Sequence, residues 1–246
     1  MARISQYERS ICLSDVHAPY QDDVAIATAC RFIKWYKPHN IFLLGDIIDF
    51  YSISSFMKDP EKMDLQEESD QAKIFFSSIR GVAPKANIVM TLGNHCNRLD
   101  KYLWLHPELR KMRMFQSISN LLDLEKFKIK CLDRKDRLIY NNIKLEHGDV
   151  VRKHSAYSAK AQMEKRGMTG ISGHTHRLGS HYLKNESGFY AWYENGCLCD
   201  LDPEYVDEPN WQQGFTVINH SRTGDRFDIN QICITDGKLS FMGKEF

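Results

Sequence analysis

Residues 41–49 read Ile41-Phe42-Leu43-Leu44-Gly45-Asp46-Ile47-Ile48-Asp49, an apolar run that breaks at a glycine and delivers two acids three positions apart. A run this short, bounded by turn residues, predicts a strand buried on both faces with carboxylates at its carboxyl end. Upstream, Ile11 to Leu13 repeats the pattern and leads into Asp15-Val16-His17. Between the two runs, Ala25, Ala29, Phe32 and Tyr36 fall at helical spacing within Asp22 to Tyr36, and Pro38 stands beyond as a stop. The three pieces make a βαβ unit. Downstream, Ala72, Phe75, Phe76 and Ile79 share a helical face, with Gly81 predicted to mark the helix end. Further short runs, Ile88 to Leu92, Ile143 to Leu145 and Met168 to Ile171, predict more strands. Alternating strands and helices imply an α/β fold with a parallel or mixed sheet, whose ligands gather at the carboxyl ends of the strands.

Residues 99–127 carry helical patterning without strands and separate two strand-end motifs, so a helical cap-like insertion over the site is expected there. After Gly173 the chain turns strand-rich, with hairpin signals at Asn185 to Gly188 and Asp236-Gly237 and an alternating Leu239, Phe241 near the end. These strands are expected to form a second sheet packed on the first, within one domain spanning 1–246.

Five short clusters carry the chemistry: Asp15-Val16-His17, Gly45-Asp46 with Asp49, Gly93-Asn94-His95, His147-Gly148, and Gly173-His174-Thr175-His176. Their donors are oxygen and imidazole, which suit manganese, iron, zinc or magnesium rather than metals selected by thiolates. Asp15 and His17, like His174 and His176, stand two apart and would point the same way if they lay in strands. The neighbouring glycines permit the close backbone approach that a crowded site requires. Singly, each signal also fits a turn, and Asn94 also fits a helix cap. The ordered recurrence of all five after apolar runs is what points to a metal centre.

This ordered set, from Asp15 to His176, resembles the calcineurin-like metallophosphoesterase superfamily, in wording close to bacterial and phage members. The resemblance implies two mixed sheets sandwiched between helices and a dinuclear centre, with manganese expected and iron, zinc, magnesium or nickel as alternatives. It implies that Asp15, His17, Asp46 and His176 hold one ion, and that Asp46 bridges to a second held by Asn94, His147 and His174. It places His95 as the catalytic histidine and Asp49 as the residue that orients it. Two positions depart from the pattern. Cys96 stands where an acidic residue is usual, and Phe50 stands where protein phosphatases carry a phosphate-gripping arginine, a role for which Arg98 is the substitute within reach.

Composition narrows the setting. The 246 residues are 42% hydrophobic and 26% charged, ordinary for a globular protein. No apolar run approaches the roughly 20 residues of a membrane helix, and Met1 to Ser10 is too polar for a signal peptide, so a cytoplasmic protein without a membrane partner is expected. Seven cysteines without framework spacing imply reduced thiols, and Cys197-Leu198-Cys199 lacks the second pair that a structural zinc site needs. The net charge of +1 hides an asymmetry, because residues 97–166 hold 17 Lys and Arg against nine Asp and Glu. Such a surplus beside the motifs suggests a polyanion, with Tyr102, Trp104 or Tyr157 offered to bases. The expected activity is hydrolysis of a phosphodiester in nucleic acid or a nucleotide by metal-activated water. The alternatives are a phosphomonoesterase and a non-catalytic scaffold, which would be expected to have lost donors.

Overall fold

Alternation along the first strand, β1 (Tyr7–Leu13), sets the layers of the molecule. Ile11 and Leu13 enter a core shared with helices, whereas Cys12 between them faces a second sheet. The computed structural model describes residues 6–62, 64–203, 208–224 and 226–246. After β1 come α1 (Asp23–Tyr36), β2 (Asn40–Leu43), α2 (Leu65–Val82), β3 (Asn87–Met90), α3 (Cys96–Leu105), the one-turn α4 (Ile118–Leu121) and β4 (Ile129–Cys131). Strands β1 to β4 pair in parallel, in sequence order. In β2, Ile41 and Leu43 pack on the helices and Phe42 on the other sheet, so the run is apolar throughout.

Asp22 caps α1 by accepting hydrogen bonds from the backbone amides of Val24 and Ala25, and a left-handed Lys37 ends it just ahead of Pro38. Asp64 caps α2 in the same way. Gly81 does not terminate α2 as expected: the helix runs through it to Val82, and Ala83 leaves helical geometry because Pro84 follows.

The remaining elements are β5 (Leu138–Tyr140), β6 (Ile143–Glu146), α5 (Tyr157–Arg166), β7 (Gly170–Ser172), β8 (Leu178–Asn185), β9 (Gly188–Asn195), β10 (Gly214–Ser221), β11 (Phe227–Cys233) and the two-stranded ribbon β12 (Ser240–Phe241) and β13 (Lys244–Glu245). The first sheet has the order β11-β10-β1-β2-β3-β4 and the second β5-β6-β7-β9-β8. The strand partition therefore differs from expectation. Strands β6 and β7 belong to the second sheet, and β10 and β11 extend the first. Hydrophobic patterning reports that β10 is buried on both faces but not which sheet it joins. Both sheets are mixed and lie face to face across Phe42, Leu44, Leu145 and Ile171. Helices α1 and α2 cover the outer face of the first sheet, and α5 covers the second by packing Ala159 and Met163 on Trp192. Two mixed sheets between helices is the arrangement that the resemblance implies.

Within residues 99–127, Leu99, Leu103, Ile118, Leu121, Leu122, Leu124 and Phe127 join the core beside α1 and α2. Among the described residues no helix is long and apolar enough to cross a membrane.

Candidate metal centre

The strand ends deliver their acids and imidazoles through strained backbone. Asp15, His17, Asp46, His174 and His176 all have positive φ, between 49° and 74°. Left-handed conformations are uncommon for residues other than glycine, and each costs on the order of 1–3 kcal/mol. Five at one place point to a demand other than folding. They also correct the reading of Asp15-x-His17 and His174-x-His176 as strand pairs. Strands β1 and β7 end at Leu13 and Ser172, and these donors converge through turns. Two glycines permit the crowding. A Cβ at Gly93 would lie 2.0 Å from Asp46 Oδ1, and one at Gly173 would lie 2.5 Å from Asp15 Oδ2.

All seven predicted donors come together, in two adjoining groups. In the first, Asp15, His17 and His176 offer atoms within reach of one ion. His17 Nε2 and His176 Nε2 are 3.1 Å apart, with Asp15 Oδ1 at 3.8 and 3.4 Å from them. In the second, Asp46, His147 and His174 do the same. His147 Nε2 is 2.9 Å from Asp46 Oδ2 and 2.8 Å from Asn94 Oδ1, so the Asn94 side chain turns into the cluster rather than capping α3. The groups touch through Asp15, which accepts the His174 backbone amide and lies 3.9 Å from His147.

The far side of three rings is already committed. His17 Nδ1 donates to Asp49 Oδ2 at 2.9 Å, His147 Nδ1 donates to the Leu44 carbonyl at 2.9 Å, and His176 Nδ1 lies 3.8 Å from Cys199 Sγ. Each ring is thereby fixed with Nε2 directed inward, the arrangement that outer partners give to metal-binding imidazoles. Two inward Nε2 lone pairs 3.1 Å apart repel unless a proton or a cation lies between them. The donor set therefore fits divalent ions.

The electrostatics agree. Burial alone would raise the Asp15 carboxyl, but hydrogen bonds with His17 and His176 hold it well below the usual range. Burial also opposes ionisation of Asp46, and the charge and hydrogen bond of His147 outweigh it. Burial would lower His147, yet Asp46 pushes it up to about 9, and Asp15 and Cys199 do the same for His176. Burial and the charge of His147 lower His174. Carboxylates and imidazolium ions thus neutralise one another, and entering cations would displace those protons.

His95, Asp49 and Arg98 form a relay beside the donors, joined to them where Asp49 meets His17. His95 Nδ1 donates to the Asp49 carbonyl at 2.9 Å, with the Asp49 carboxylate at 3.1 Å, and its backbone amide donates to Asp46 Oδ1 at 3.0 Å. Arg98 donates to Asp49 Oδ1 at 2.6 Å and stands 3.3 Å from His95 Nε2. Phe50 is wholly buried, left-handed and part of the core. Cys96 is likewise buried among apolar side chains, and burial pushes its thiol up to about 12.

A model of the calcineurin-like phosphoesterase family matches residues 9–194. The chain belongs to that family. Membership supports metal-dependent hydrolysis of phosphoesters, and the donor groups support divalent metal binding. The gene 54 protein of Mycobacterium phage D29 is 26% identical to this phosphoesterase over 250 residues, covering 91% of this chain and 97% of the phage protein. The gene 54 protein of Mycobacterium phage L5 is 25% identical over 252 residues, covering 96% and 98%. Among solved structures, vacuolar protein sorting 29 of Cryptosporidium parvum shares the fold at a TM-score of 0.51 and 12% identity, over 98% of each chain.

Three contacts of this phosphoesterase had no sequence signal that identified them. The Leu44 carbonyl is a backbone group, and Trp211 sets its ring 4.2 Å from His176 from a distant loop. Cys199 is visible in the Cys197-Leu198-Cys199 motif, but its place behind His176 is a tertiary fact.

Proposed function

We propose that this phosphoesterase hydrolyses phosphodiesters, of a nucleotide or nucleic acid, with two divalent ions held by Asp15, His17, Asp46, Asn94, His147, His174 and His176, manganese being the first candidate. Ions bound there would supply Lewis-acid polarisation of the phosphoryl group and an acidified water. His95 turns Nε2 toward the phosphoryl group and gives the Nε2 proton to the departing oxygen, while its Nδ1–H stays donated to Asp49, which fixes the ring. The observation that carries the diester reading is the pairing of Arg98 with Asp49, together with the burial of Phe50. The guanidinium nearest His95 is neutralised, so it is not a spare cation for the second charge of a monoester. A diester brings only one. A scaffold lacking catalysis is disfavoured by the intact, strained donor set.

The test is a manganese-loaded activity comparison of bis-p-nitrophenyl phosphate, p-nitrophenyl phosphate and single- and double-stranded DNA. Faster turnover of the diester is expected. Brisk monoester hydrolysis without diester cleavage would leave a phosphomonoesterase, and two bound metals without any turnover would leave a scaffold.

A polymer substrate makes a sharper prediction. Much of the basic surplus is neutralised locally, as Arg134 pairs with Asp100, Lys165 with Asp149 and Arg166 with Glu146. Arg110, Lys111 and Arg113 are exposed and form no ion pair among the described residues. They follow α3, whose ten residues extend about 15 Å from the His95 end. Reversing all three to Glu is expected to weaken DNA cleavage at least tenfold and to leave bis-p-nitrophenyl phosphate within about twofold, because only a polymer engages several phosphates. Equal effects on both substrates, or none on DNA, would remove nucleic acid as the substrate.

The contact behind His176 predicts an effect on metal affinity. Cys199→Ala is expected to weaken manganese binding by about 10–100-fold at one of two sites, the usual loss when an outer partner of a ligating histidine goes. Cys197→Ala is expected to change it little. Calorimetric titration checks both, and equal losses would make the thiols ligands themselves.

A further inference from the structure

Residues 50–62 leave the metal centre as a braced loop. The buried carboxylate of Glu68 accepts the backbone amides of Tyr51 and Ser52 at 3.0 and 2.8 Å. Lys58 Nζ donates to the carbonyls of Ser52 and Ser54, and the Asp59 amide donates to the Tyr51 hydroxyl at 2.7 Å. Such bracing normally serves to hide apolar side chains, yet the tip does the opposite. Phe56 is 71% exposed and Met57 97%. The Phe56 ring stands 5.9 Å from the Arg98 guanidinium, which in turn lies 3.3 Å from His95 Nε2. A flat apolar surface is therefore held in water, one side chain away from the group placed beside the phosphoryl.

Hydration of that ring is unfavourable, and the hydrogen bonds of the loop do nothing to relieve it. The Arg98 contact covers only a small part of it. An incoming planar group would cover the rest and gain stacking as well, a contact that tolerates any base because every base presents a π face. Basic residues alone would hold phosphates without preferring what is attached to them.

We infer that Phe56 is a substrate-binding residue, a stacking platform for the nucleobase on one ester arm while the phosphoryl group lies against His95. The assignment rests on the phosphodiesterase reading and narrows its substrate to nucleoside esters. Phe56 is no metal donor and its ring contact is with the Arg98 guanidinium, so its removal is expected to leave two metals bound and to act mainly on substrate affinity.

The experiment compares a thymidine dinucleotide with glycerophosphoethanolamine, a diester without a ring, using manganese-loaded protein and chromatographic detection of products. Phe56→Ala is expected to raise KM for the dinucleotide about tenfold, the size of one base-stacking contact, with kcat nearly unchanged and two metals still bound. KM for glycerophosphoethanolamine is expected to stay within about twofold, and Phe56→Trp to restore or improve the dinucleotide KM. An equal change for both diesters, a fall confined to kcat, or no change for the dinucleotide would overturn the assignment. If the wild-type protein proves to hydrolyse only monoesters, the diesterase reading fails by itself. The same comparison then runs on thymidine monophosphate against glycerol phosphate. A KM effect confined to the nucleotide upholds the stacking platform, and its absence overturns it.

Discussion

Asp46→Asn is expected to lower turnover on the order of 10³-fold or more and to strip metal from the protein, a larger effect than loss of any other donor. Asp46 is 1% exposed and both its oxygens are in use: Oδ1 accepts the His95 backbone amide at 3.0 Å, and Oδ2 lies 2.9 Å from His147 Nε2. An asparagine offers one acceptor and one donor group. Either its NH2 opposes the His95 amide, donor against donor, or it turns toward the site where a cation would be held. The backbone cannot shift to compensate, because Asp46 sits in left-handed geometry with Gly93 packed against its carboxylate. A buried donor left without a partner costs about 1–3 kcal/mol, and removing one preorganised electrostatic contact costs a further 10²–10³-fold in rate. Elemental analysis and steady-state kinetics read both effects together. Near-normal turnover with two metals bound would show that Asp46 does not serve both ions.

The central strands were legible because β1, β2 and β3 are buried on both faces and so carry unbroken apolar runs that end in the donor motifs. The motif clusters were legible for the same reason, since each donor stands directly after such a run. Periodicity says nothing of backbone dihedrals. Asp15 and His17 look like strand neighbours in sequence but meet His176 through left-handed turns. Nor does burial on both faces identify the neighbour, which is why β10 and β11, expected in the second sheet, lie in the first. Gly81 shows a local preference overridden: glycine is tolerated inside α2, and Pro84 beyond it decides where the helix stops. The partners behind the rings were the least legible, because the Leu44 carbonyl carries no residue-type signal and Cys199 reaches His176 across 23 residues of chain. Phe56 was hidden for the opposite reason, since an exposed phenylalanine in a short loop looks like a core residue until its surroundings are known.

His95→Ala is expected to separate chemistry from metal binding. The ring is 14% exposed, Nδ1 is engaged by Asp49, and Nε2 lies 3.9 Å from Asp46 Oδ2, close to the donor cluster without entering either group of inward Nε2 atoms. The variant keeps every donor, and Asp49 still holds His17 at 2.9 Å, so two manganese ions per chain are expected to remain. Turnover is expected to fall about 10²–10⁴-fold, the range for loss of a positioned general acid. The size of the fall also depends on the departing group. A p-nitrophenolate leaves as a stable anion and needs little help, whereas a nucleoside alkoxide needs a proton as its bond breaks. Loss on a thymidine dinucleotide is therefore expected to exceed loss on bis-p-nitrophenyl phosphate by at least tenfold. Equal losses on both would mean that His95 stabilises the phosphoryl group by charge instead of donating a proton. Disappearance of metal from the variant would place His95 among the ligands and move the relay with Asp49 and Arg98 into the metal centre itself.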